Sequence, residues 1–138
     1  MPGSAEARTV ALVNEYVRIT NAAKFDEMAE LFADDAVYLG PDGIVREGKQ
    51  AIGAYYAAMD PELTAPLVPV RPTAIAITGD QALYAFDVKR GGEYVPCAVD
   101  QFTVDEDGKI AKFIVYLRPG PLSDELRAHH AAQAADTP

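Results

Sequence analysis

Residues 93–104 read EYVPCAVDQFTV. Successive side chains of a strand face opposite sides, so Asp100 shares one side with Ala98, Phe102 and Val104, while Val95, Cys97 and Val99 make the other side apolar too. A carboxylate between two covered faces has to be paired, solvated through a pocket or held protonated, because an ionised group buried without a partner is very costly. Two readings of Asp100 follow. It is a strand residue satisfied by a serine, a tyrosine or a water, or it is a group set in a ligand-binding hollow.

The period of two continues on both sides of this stretch. Residues 73–78, 81–89, 93–104 and 110–117 read as four strands, separated by GD, RGG and DEDG, which suit tight reversals. This predicts an antiparallel meander with Tyr84, Phe86 and Val88 inward on one strand and Phe113, Val115 and Leu117 on the last. Before Pro72 the period is helical. Leu12, Val13, Tyr16, Val17 and Ile19 recur on one stripe of a first helix over residues 5–23. A short second helix over 24–33 buries Phe25, Met28, Leu31 and Phe32, and 36–39 returns as a short strand. Gly40-Pro41-Asp42-Gly43 is a turn, 44–46 a brief strand, and 47–59 a third helix with Ile52, Tyr55, Tyr56 and Met59 inward. The proline-bearing run from 60 to 72 reads as an irregular connection. Helices first and a meander afterwards predict the α+β class, with a helix layer on one face of a bent sheet.

Composition narrows the function. A chain of 138 residues, 49% hydrophobic and 24% charged, is expected to be one globular domain. Twelve basic against twenty-one acidic residues give a net charge of −9, which repels nucleic acid and anionic membranes. No apolar run approaches membrane-helix length, and the start, MPGSAEART, lacks the apolar core of a signal peptide, so a cytoplasmic protein is expected. The single cysteine, Cys97, excludes an internal disulfide and reads as a buried, inert thiol. His129 and His130 are adjacent in an alanine-rich tail, read as a peripheral helix or a disordered appendage over 121–138, and make a poor metal pair. No metal and no cofactor is expected.

The helix-1 tyrosine, the FADDA after the second helix, the EGKQAIGAYY of the third and the PCAVDQFTVDEDGKI strand-turn-strand occur in a characteristic order. Together they resemble the nuclear transport factor 2-like superfamily, and within it the Δ5-3-ketosteroid isomerases and SnoaL-like polyketide cyclases. The likeness covers about residues 9–117, so the domain is placed at 1–120. The resemblance implies a cone-shaped fold, three helices on a curved antiparallel sheet, enclosing a hydrophobic ligand. It also implies that Tyr16 and a protonated Asp100 polarise a ketone. A buried acid of this kind, kept neutral so that it can donate, is a known device of the isomerases. Tyr56 matches a tyrosine that in some members hydrogen-bonds the catalytic one; plain core packing is the other reading. Phe32, Tyr55, Tyr84, Phe86, Phe102, Phe113 and Leu117 are the expected pocket.

One departure matters. The isomerases carry their general-base aspartate where this chain has Gly40, and glycine cannot take a proton. Asp42 is the substitute within reach in sequence, or else an exposed residue of an Asp-Gly turn. Three functions therefore stand open: an enzyme acting on a small hydrophobic ketone or enol, a cyclase or epoxide-opening enzyme using an ionised Asp100, and a ligand-binding or dimerisation module without chemistry. The resemblance further implies a homodimer packed through the sheets, with Val95, Cys97, Val99 and Ile114 on the outward face.

Overall fold

The computed structural model describes residues 4–22, 24–40, 43–58, 70–90, 92–118 and 128. Helix α1, Ala5–Asn21, starts where the Ser4 hydroxyl accepts the Ala7 N–H at 3.1 Å. It buries Leu12, Val13, Tyr16 and Ile19 of the expected stripe together with Thr9, and leaves Val17 half-buried. Thr9 ties this helix to the sheet, its hydroxyl lying 2.8 Å from the carbonyl oxygens of both Ala5 and Gly79.

The second helix is a 3₁₀ helix, Phe25–Leu31, rather than an α-helix over 24–33. Its apolar residues Phe25, Met28 and Leu31 fall every third position, which suits three residues per turn. Strand β1, Phe32–Leu39, begins four residues earlier than the sequence reading, with exposed Asp34 and Asp35 in a stretch of shifted register between Phe32 and Val37. Strand β2 is Val45–Glu47 and helix α2 is Lys49–Ala57. Gly48 leads into α2 at φ 91°, its N–H donating to the Ala36 carbonyl at 2.8 Å. A Cβ on Gly53 would stand 3.0 Å from that of Ala29, so glycine lets α2 lie close against the 3₁₀ helix.

Strands β3 (Val70–Thr78), β4 (Gln81–Arg90), β5 (Glu93–Val104) and β6 (Ile110–Leu117) form the expected meander. Strand β3 starts three residues earlier than read and runs through Pro72, which is tolerated because β3 is an edge strand whose register shifts between Pro72 and Ala74. The sheet has six strands in the order β2-β1-β6-β5-β4-β3, and β1 runs parallel to β6. It is therefore mixed, not wholly antiparallel: the last strand of the meander leaves an edge, and β1 covers it. Helix α1 packs over β3, β4 and β5, and α2 over β1 and β2, giving three helices on one face of a curved sheet.

A β-bulge corrects the reading of β5. Phe86 pairs with Ala98 but Asp87 pairs with Pro96, so Cys97 is an extra residue opposite that step. Cys97 and Ala98 are consequently both core residues, and Val95 packs against the core beside Val88. Neither Val95 nor Cys97 belongs to the outward face. That face carries half-buried Val99 and Ile114, with Leu83 and Tyr116 exposed at 46% and 49%. Asp42, Met59, most of the 60–72 connection and the two histidines of the tail lie outside the described residues, as do residues 129–138. Among the described residues, no helix is long and apolar enough to cross a membrane.

Candidate active site

Asp100 and Tyr16 come from the two layers that close on each other. Asp100 sits on the helix-facing side of β5 with Ala98, Phe102 and Val104, all buried, and is itself 2% exposed. Tyr16 projects from α1 onto the same spot, its ring 5.0 Å from Phe102 and 5.5 Å from Phe113. Its hydroxyl lies 3.4 Å from Asp100 Oδ2. This is long for a hydrogen bond between oxygens. Two donors at that separation are able to share a third oxygen about 2.7 Å from each, subtending roughly 80° at it.

Behind Tyr16 stands a relay of phenols. Tyr56, on α2, hydrogen-bonds Tyr16, and Tyr38, on β1, hydrogen-bonds Tyr56. The order is Tyr38, Tyr56, Tyr16, Asp100. Sequence reasoning placed three of these four and passed over Tyr38, although inward Ala36 and Tyr38 alternate with half-buried Val37 and Leu39. What fixes Tyr38 is its parallel pairing with Phe113, on which its ring stacks at 5.1 Å.

Burial sets the protonation of the cluster. It pushes the Asp100 carboxyl up from 3.8 to about 8, against the opposing pull of the Tyr16 hydrogen bond. Asp100 is thus mostly protonated at neutral pH and has a proton to donate. Tyr16 is held well above the usual phenol range, first by burial and then by the charge that Asp100 carries when ionised, while Tyr56 draws it back. Burial likewise keeps Tyr38 and Tyr56 neutral, and it pushes the Cys97 thiol up to about 12. That thiol is unreactive by the same physics.

The expected pocket residues divide in two. Phe32, Phe102 and Phe113 are at most 1% exposed and pack on one another, with Phe102 and Phe113 centroids 4.7 Å apart. They form a floor. Tyr55 is also buried, under the Arg46 guanidinium at 4.0 Å, whereas Phe86 and Leu117 are half-buried. Tyr84 is the cross-strand partner of Asp100 and is 1% exposed. Gly40 ends β1 in the hairpin to β2, donating to Ile44 at 3.2 Å and accepting from Gly43 at 3.1 Å. No proton-accepting side chain stands there. An open groove between α2 and the 3₁₀ helix is edged by Asp26, Asp34, Glu47 and Lys49, and it shares no residue with the Tyr16–Asp100 cluster. Among the described residues, no three His, Cys, Asp or Glu gather as a metal site.

This architecture is shared with solved structures. The steroid Δ-isomerase of Pseudomonas aeruginosa superposes with a TM-score of 0.71 at 18% identity, over 94% of this chain and 96% of that one. The epoxide hydrolase/cyclase-like enzyme SalBIII, which acts in pyran ring formation in the polyether salinomycin, gives 0.61 at 24% identity over 82% and 92%. A de novo designed protein with a curved β-sheet gives 0.72 at 15% identity over 94% and 96%. At such identities these likenesses show the fold and not the chemistry. The SnoaL-like domain model matches residues 13–113, most of the chain, and by that match the protein belongs to the SnoaL-like domain family.

Proposed function

We propose that this protein is an isomerase- or cyclase-type enzyme that binds a small hydrophobic ketone or enol and grips its oxygen between Tyr16 and Asp100. The observation that carries this reading is the burial of a carboxyl at 2% exposure, 3.4 Å from a phenol, with its proton held to about pH 8. When a ketone loses a proton from the neighbouring carbon, negative charge moves onto its oxygen. Two neutral donors aimed at that oxygen stabilise the charge, and each donor of this kind contributes about 10²–10³ in rate. In a β,γ-unsaturated ketone the charge spreads over a dienolate, and return of the proton to its γ-carbon, with re-formation of the C=O and a shift of the C=C into conjugation, completes an isomerisation.

The proton carrier differs from that of the ketosteroid isomerases, because Gly40 has no group for it. Asp42, water or the substrate itself takes the part, so proton transfer does not follow the usual route of the ketosteroid isomerases. The raised value of Asp100 speaks for the neutral donor and against an ionised Asp100 acting as the base of an epoxide-opening cyclase. We further infer a homodimer packed through the outward sheet face, supported by Leu83 and Tyr116 exposed there.

The test has two arms. A naphthol, whose oxyanion mimics an enolate, is titrated by fluorescence into the wild type and the Tyr16→Phe and Asp100→Leu variants; equal affinity in all three refutes the oxygen-gripping pair. A 5-ene-3-ketosteroid and simpler enolisable ketones are then followed for conjugation or for exchange of α-protons in deuterated water. Tight binding with neither reaction leaves a binding module and refutes the enzyme.

A further inference from the structure

Tyr84 has a buried hydroxyl with no hydrogen-bond partner among the described residues. An unpaired buried hydroxyl is unfavourable, and native proteins keep few of them, most at places where a ligand or water completes the bond. The residue is not loose. Its ring stacks on Phe86 at 5.1 Å and 19°, and it pairs directly across the sheet with Asp100, so both side chains stand on the helix-facing side. Its phenol is held above the usual range by burial and by the neighbouring Asp100, so the hydroxyl is a donor at any physiological pH.

A row of residues crosses the sheet at this level: Val115 on β6, Asp100 on β5, Tyr84 on β4 and Ile75 on β3. Asp100 at 2% and Tyr84 at 1% are its buried centre, and exposure reaches 47% at Ile75 on the edge strand. Each step is one strand spacing, about 4.8 Å. A flat ligand anchored by one oxygen at Asp100 and reaching towards the edge therefore passes Tyr84 about one spacing from its anchored oxygen. A simple ketone offers nothing there and leaves the phenol unpaired. A ligand with a second oxygen on the next-but-one carbon satisfies it.

We propose that Tyr84 is a specificity-determining residue that donates to a second ligand oxygen, so that the site selects 1,3-dioxygenated, enolisable compounds over simple ketones. The inference rests on the oxygen-gripping reading of Tyr16 and Asp100. Sequence analysis placed Tyr84 only in the pocket wall, where an inward aromatic in a strand reads as packing.

The experiment compares 2-naphthol with 1,3-dihydroxynaphthalene, binding each to the wild type and to the Tyr84→Phe and Tyr16→Phe variants. The wild type is expected to favour the diol about tenfold, as one added hydrogen bond of a buried group implies, and Tyr84→Phe to bring the ratio close to one. Tyr16→Phe is expected to weaken both ligands in proportion. An unchanged diol preference in Tyr84→Phe overturns the inference. Undiminished 2-naphthol binding in Tyr16→Phe instead overturns the anchoring reading, so the two failures are distinguishable. The free Tyr84→Phe protein supplies a second check: its thermal midpoint is expected to match or exceed that of the wild type, and a fall of several degrees shows a structural partner for the hydroxyl and also overturns the inference.

Discussion

The protonation of Asp100 makes the protein less stable as pH rises through the neutral range, and the size of the effect follows from two numbers. In the unfolded chain the carboxyl titrates near 3.8; in the folded protein burial raises it to about 8. Below pH 4 both states hold the proton and the difference vanishes. Between pH 4 and pH 8 the unfolded chain releases it while the folded protein keeps it, so each pH unit favours unfolding by about 1.4 kcal/mol. Above pH 8 both are ionised and the gap stays constant. From pH 5 to pH 8 the loss comes to roughly 3–4 kcal/mol, a large part of the 5–15 kcal/mol that holds a typical domain together. Asp100→Asn keeps the shape and cannot titrate, so it isolates this contribution from all other carboxyls. Urea unfolding midpoints of both proteins, measured at each pH from 5 to 9, are expected to diverge, with the wild type losing ground to the variant until pH 8 and running parallel thereafter. Parallel curves between pH 5 and pH 8 refute the neutral, buried acid, and with it the donor role that the proposed function gives it.

Three more outcomes follow from the same geometry. Tyr16→Phe removes the hydrogen bond that pulls Asp100 downward, so the pH at which the wild-type and Asn curves become parallel is expected to move up in that background, and naphtholate affinity to fall roughly 10- to 100-fold; a downward move contradicts the contact. Tyr38→Phe deletes the outermost phenol of the relay, and its effect on naphtholate affinity, read by the same titration, is expected to be smaller than that of Tyr16→Phe, with a stability loss of about 1 kcal/mol. Leu83→Glu places a charge in the outward apolar face and is expected to convert a dimer to a monomer in light scattering, whereas a monomeric wild type refutes the dimer.

How much of this was legible depended on whether a residue's neighbours were local. Tyr16 was readable because helical periodicity within α1 fixes its stripe, and Asp100 because alternation within one strand fixes its side. Cys97 was misplaced because a bulge is a mismatch between two strands: Phe86 faces Ala98 and Asp87 faces Pro96, and nothing in residues 93–104 by themselves records the slip. Tyr38 was missed for a related reason. Its strand reads as a four-residue fragment, and its meaning comes from running parallel to β6, some seventy positions later in the chain, beside Phe113. The 3₁₀ helix differs in kind: over so short a stretch an α-helical stripe about 120° wide still collects Phe25, Met28 and Leu31, so their inward side was legible, with Met28 and Leu31 buried and Phe25 half-buried, and the helix type was not.

The energetics of the row across the sheet separate what the fold needs from what the site needs. The fold is satisfied by apolar contact at this level, as Phe102 beside Phe113 shows one register step away. At the Asp100–Tyr84 pair the chain instead keeps a carboxyl whose ionisation is suppressed and a phenol with no partner among the described residues, side by side and nearly inaccessible. A leucine and a phenylalanine would fill the same space without either penalty, since removing both members of a poorly satisfied polar pair is commonly neutral or stabilising. Packing therefore gives no reason for these two groups. A ligand oxygen arriving at each gives a reason for both, because it converts two unfavourable buried groups into hydrogen bonds that form only when the site is occupied.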